Sequence, residues 1–204
     1  MSMARLAAAL VAMICWAGLA VQFSATYAQQ HAVLASLWVI ARFFTILTNL
    51  ILAVIMTRVA SGGRISANVL GGITLAILLV GIVYFFLLRG LHPLSGLALL
   101  ADFLLHKVSP VVMALWWLLF APRARLRWSA PIWWSVYPVA YLLYALARGQ
   151  SDHKYPYPFL DVGKIGWTQT ALNVGGIALG FILAGFALVW FDGWRPLGSK
   201  RSSR

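Results

Sequence analysis

Six apolar runs follow one another along the chain, at about Leu6 to Tyr27, Leu34 to Thr57, Val69 to Leu88, Leu94 to Phe120, Pro131 to Ala147 and Trp167 to Phe191. The connections between them, such as Arg58 to Ser66 and Arg148 to Gly166, are too short to hold domains. A helix rises about 1.5 Å per residue and a bilayer core is about 30 Å thick, so each run can span, the fifth only just. The pattern predicts an all-α integral membrane protein. It is a single six-helix transmembrane domain over residues 1–204, with residues 192–204 as a basic tail. The first run could instead be a secretory signal, since Arg5 precedes it and Thr26-Tyr27-Ala28 resembles a cleavage site. Its apolar stretch exceeds the roughly 7 to 15 residues of a signal core, which favours a retained helix.

Polar residues interrupt two of these runs. The second carries Arg42, Thr45, Thr48 and Asn49, and the fourth carries Asp102, His106 and Lys107. An ionisable group inside a span costs roughly 3 kcal/mol on insertion scales, so such groups face the bundle interior and serve a purpose there. In a continuous helix Arg42, Thr45 and Asn49 share one face at i, i+3 and i+7. Asp102 and His106 are i, i+4 neighbours, with Lys107 rotated about 100° away. Counted from Leu34 and Leu94, Thr45 and His106 both fall roughly 16 to 18 Å below the same boundary. Pro110 removes a backbone N–H four residues after His106 and should kink that helix, opening space beside the imidazole.

Composition narrows the chemistry. The chain is 62% hydrophobic and 10% charged, against about 25% charged in soluble domains. Its net charge of +12 would raise nucleic acid as a partner. The basic residues instead sit at span ends, where they set topology and meet anionic lipid head groups. With the amino terminus inside, ten Lys and Arg fall on the inner side and four on the outer, which places both termini in the cytoplasm. Trp128, Trp133, Trp134 and Trp167 suit interfacial anchoring. Gly176, Gly180 and Ala184 would let another helix approach closely. The single cysteine, Cys15, excludes an internal disulfide and any multi-cysteine metal site. His31, His92 and His153 all lie in connections, which argues against bis-histidine haem or a histidine metal site. No cofactor is expected.

A hydroxyl and an imidazole at one depth are the minimum for nucleophilic catalysis, because Thr Oγ is inert until a neutral imidazole takes its proton. Asp102 could orient that imidazole, and Arg42 or the Asn49 amide could donate to an oxyanion or hold a carboxylate. Other roles stay open at this point. Thr48 and Thr45 could bond their own i−4 carbonyls, and Arg42 could neutralise Asp102. The same ionisable groups could instead relay protons in a transporter or lipid-binding protein.

Three segments carry a family likeness: Arg42-Phe43-Phe44-Thr45-Ile46-Leu47-Thr48-Asn49, His106 followed by Pro110, and Tyr155-Pro156-Tyr157-Pro158-Phe159-Leu160-Asp161. Together they resemble the androgen-induced-gene and androgen-dependent TFPI-regulating protein family of multi-span membrane proteins, and the chain looks like a bacterial six-span member. The resemblance implies an intramembrane threonine hydrolase acting on fatty acid esters of hydroxy fatty acids, with Thr45 as nucleophile and His106 as base. It marks Tyr157 to Asp161 as a further family motif, and hence Tyr157 and Asp161 as supporting or substrate-binding residues. It also implies a lipid substrate entering from the bilayer and residence in the bacterial inner membrane. Asp102 belongs to no family motif and rests on spacing alone.

Overall fold

The computed structural model describes residues 1–91, 93–123 and 125–194. His92 and the basic tail from Arg195 to Arg204 lie outside the described residues. The described residues form helices and connections, without strands. The helices are α1 (Met3–Gln30), α2 (Val33–Ile40), α3 (Phe44–Ala60), α4 (Ala67–Val83), α5 (Gly96–Phe103), α6 (Ser109–Phe120), α7 (Ala130–Trp134), α8 (Val136–Asp152) and α9 (Val162–Trp194). One π turn, Tyr84–Leu88, prolongs α4, and another, Leu104–Val108, joins α5 to α6.

Five helical stretches are long and apolar enough to cross a membrane, and a sixth crossing is counted if α2 and α3 form one broken span. The second run is therefore not the continuous helix expected. α2 and α3 meet at 99°, through Ala41 and Arg42 and an extended Phe43. α3 alone, at 17 residues, is about 25 Å long.

Backbone in a spanning segment can leave the helix only where protein groups satisfy it. α8 supplies them. Tyr141 Oη donates to the Arg42 carbonyl at 2.9 Å, and Tyr144 Oη to the Ala41 carbonyl at 3.2 Å. Arg148 Nη2 donates to the Trp38 carbonyl at 2.6 Å. Tyr137, Tyr141, Tyr144, Arg148 and Asp152 follow helical spacing, so one face of α8 lines the whole bend. The fifth run thus extends past its expected end at Ala147. Arg148 is buried inside this helix, not solvated in a connection.

α1 lies along α3 and also packs against α5 and α6, while α4 packs on α3, α6 and α9. At Gly18 of α1 an added Cβ would stand 2.6 Å from Leu105 Cδ2, so only glycine lets α1 close on the π turn at Leu104–Val108. The expected close packing at Gly176 and Gly180 is not made among the described residues. Both are exposed on α9, with no atom within 4 Å of an added Cβ.

Candidate active site

Thr45 is the second residue of α3. A threonine deep in a helix bonds its i−4 carbonyl, but for Thr45 that carbonyl is Ala41, across the bend and occupied by Tyr144. Its hydroxyl is free to face outward from its own helix. Thr45 Oγ1 lies 3.1 Å from His106 Nε2. The common level expected from residue counting is met, although the bend places Thr45 at the start of a new helix and not three turns along an old one.

His106 sits in the π turn. Ser109 N–H bonds Leu104 O, five residues back, and Pro110 has no N–H to give. The Leu105 carbonyl is left for other donors: Ser109 Oγ at 3.0 Å and Asn49 Nδ2 at 3.2 Å. Asn49 Nδ2 also donates to the Thr45 carbonyl at 2.9 Å. One fully buried amide therefore ties the backbone of the hydroxyl's residue to the residue before the histidine. Both amide donors are committed, so Asn49 is not the oxyanion donor suggested by its position in the sequence. It holds the two helices in register.

Behind the imidazole, His106 Nδ1 lies 3.2 Å from Asp102 Oδ1 and 3.3 Å from the Asp102 carbonyl. The carboxylate takes a 2.6 Å bond from Tyr84 Oη on its other oxygen, where Lys107 Nζ also stands at 3.8 Å. The wider π turn brings Lys107 to the carboxylate that His106 uses, not to a separate partner. The Tyr84 ring stacks on His106 with centroids 4.5 Å apart. Hydroxyl, imidazole and carboxylate thus run in line, with one ring fixing the plane of the histidine.

Pro110 packs against Gly81 of α4, 3.2 Å from an added Cβ. Open space adjoins Thr45. A cavity of about 210 Å³ extends from Phe44 and Thr45 between α4, α8 and α9, walled by Leu79, Val83, Leu142, Val174 and Phe181 among others. Its walls are apolar apart from Thr45, Ser135, Tyr141 and Tyr157.

Arg42 is set apart by the bend. Its guanidinium forks onto Asp152 at 3.0 and 2.5 Å and also reaches the Lys154 carbonyl. It neither neutralises Asp102 nor stands free for a substrate carboxylate. Thr48 does not bond its i−4 carbonyl but shares a 2.9 Å bond with Tyr137 Oη. Asp161 pairs with Lys164 at 3.2 Å and is not among the cavity residues.

Tyr157 is at the site. The Phe44 N–H donates to its phenol oxygen at 3.0 Å, and Thr45 and Tyr141 both neighbour the same phenol. Burial pushes the Tyr157 phenol above its ordinary range and keeps it protonated.

Sequence reasoning passed over Tyr84, Tyr137, Tyr141, Tyr144, Arg148 and Asp152. The last five were findable from their shared face at spacings of four, three, four and four. Tyr84 left no comparable signal. Among the described residues no group of three His, Cys, Asp or Glu side chains could hold a metal ion. Set against family models, curated proteins and solved structures, the chain matches none of them.

Proposed function

We propose that this chain is an intramembrane threonine hydrolase of long-chain lipid esters. The observation that carries the reading is the 3.1 Å approach of Thr45 Oγ1 to His106 Nε2, with Asp102 behind the imidazole and an apolar cavity beside the hydroxyl. His106 Nε2 takes the Thr45 proton as Oγ bonds to the ester carbonyl carbon, and the carbonyl electron pair moves to oxygen. Collapse expels the alcohol, which leaves with the proton from His106. A water, deprotonated by the same imidazole, then adds to the acyl-threonine carbonyl, and as the free acid leaves, His106 returns the proton to Thr45 Oγ. The positive end of α3, which begins one residue before Thr45, favours the negative charge formed there.

The cavity suits an acyl chain, since its mostly apolar walls give a lipid tail close packing contacts in place of those it leaves in the bilayer. A substrate of this kind enters from the bilayer, and fatty acid esters of hydroxy fatty acids are the first to try. The excess of Lys and Arg at one set of span ends supports cytoplasmic termini, and the family resemblance supports a multi-pass place in a bacterial inner membrane. Anionic head groups are the partners of that basic face.

The test is hydrolysis of defined long-chain esters by purified protein. Activity in the wild type and in Thr48→Ala, abolished in Thr45→Ala and His106→Ala, is expected. A protein that hydrolyses none of them yet moves protons across liposomes in a His106-dependent way would replace the hydrolase with a proton-linked carrier.

A further inference from the structure

A threonine hydrolase must also stabilise the oxyanion that forms when Oγ attacks, and removing one such donor typically slows an enzyme about 10²- to 10³-fold. Two groups suggested by sequence are committed elsewhere: Asn49 to two carbonyls and Arg42 to Asp152. The group that is present is a phenol. Tyr157 reaches α3 from the segment between α8 and α9, and its ring is held by stacking on Phe159 at 5.1 Å and edge contact with Phe43 at 6.2 Å. Its oxygen accepts the Phe44 N–H at 3.0 Å, one residue before the nucleophile. Both Tyr157 and Thr45 line the cavity where the ester would lie.

We propose that the Tyr157 hydroxyl is the oxyanion donor of this site, which rests on the hydrolase reading above. An N–H donated to the phenol oxygen draws electron density from it and strengthens the O–H as a donor, the cooperative effect of linked hydrogen bonds. As Thr45 Oγ bonds to the carbonyl carbon, the carbonyl oxygen gains charge and takes the Tyr157 O–H as its hydrogen bond. When the intermediate collapses the oxygen returns to a carbonyl and the phenol keeps its proton, so no net transfer to or from Tyr157 occurs. The backbone N–H at the start of α3 acts through the phenol. Tyr157 therefore joins Thr45 and His106 as a group touching the reacting atoms.

The experiment uses full-length protein in detergent micelles with p-nitrophenyl laurate as the probe. Tyr157→Phe is expected to lower kcat by about 10²- to 10³-fold with KM within about threefold. Because that change also strips the Phe44 N–H of its acceptor, a second variant carries 3-fluorotyrosine at 157. It should recover kcat to within about tenfold of wild type and move the alkaline limb of the kcat profile to lower pH, since an ionised phenol donates nothing. A Tyr157→Phe protein as fast as wild type, or faster, would mean that the phenol merely plugs the site and would overturn the proposal. A 3-fluorotyrosine profile identical to wild type would do the same. If wild type shows no Thr45-dependent hydrolysis, the hydrolase reading falls and takes this with it. Thr45-dependent hydrolysis indifferent to Tyr157 sinks this proposal alone.

Discussion

Asp102→Asn separates an orienting carboxylate from a mere packing group. The carboxylate lies 3.2 Å from His106 Nδ1, with its charge centre about 4 Å from that of an imidazolium formed during attack. At an effective dielectric constant of about 20, one opposite charge at that distance is worth about 4 kcal/mol. Tenfold in rate corresponds to about 1.4 kcal/mol, so full loss of that attraction would cost roughly a thousandfold. Part of it survives in the variant. The Asp102 backbone carbonyl, 3.3 Å from Nδ1, still accepts the same N–H and preserves the tautomer. The asparagine oxygen also remains a dipolar acceptor. The expected fall in kcat is therefore about 10²- to 10³-fold, with KM little changed because the carboxylate does not line the cavity. Rates of p-nitrophenyl laurate hydrolysis, with Tm measured on the same preparations, check this. A variant within about threefold of wild-type kcat, beside inactive Thr45→Ala and His106→Ala proteins, would refute the role given to Asp102.

Other parts of the structure give further expectations. Asn49→Leu removes two buried hydrogen bonds, at about 0.5 to 1.5 kcal/mol each, although the Leu105 carbonyl keeps Ser109 Oγ; thermal unfolding should register the loss, and kcat should fall because the two helices lose their register. Ala178→Trp places a large side chain in the cavity wall. A shortened cavity packs less of a long acyl chain, and a loss of about 1.4 kcal/mol would lower kcat/KM for a laurate ester about tenfold while a butyrate ester stays within about threefold. Asp152→Asn should lower Tm by weakening the fork onto Arg42, and adding Arg42→Met should cost less in that background than alone, as a double-mutant cycle in Tm would record.

Much of this was legible in the chain because burying polarity in lipid is expensive. Thr45, His106 and Asp102 drew notice as polar residues in apolar runs, and the structure brings those three together. The bend at Ala41 to Phe43 was not legible, since no proline or glycine marks it. It exists because α8 offers donors to the carbonyls it exposes, a tertiary cause with no local signature. That one break explains several departures together. It removes Arg42 from the face of Thr45, turns Arg42 toward Asp152, and frees the Thr45 hydroxyl from its own helix. The π turn had a sequence cue in Pro110, yet its consequences depend on Asn49 arriving from α3 and on Gly18 admitting α1. The tyrosines of α8 were hidden by a correct generalisation, that aromatic residues gather near span ends, applied where these side chains turn inward.

The central claim is that Thr45 becomes covalently acylated. Purified protein treated with a long-chain fluorophosphonate, digested and examined by mass spectrometry should carry the phosphonyl group on Thr45. The adduct should be absent from Thr45→Ala and His106→Ala and retained in Thr48→Ala. Labelling that persists in Thr45→Ala, or an adduct on another residue of the wild type, would contradict a threonine nucleophile at this position.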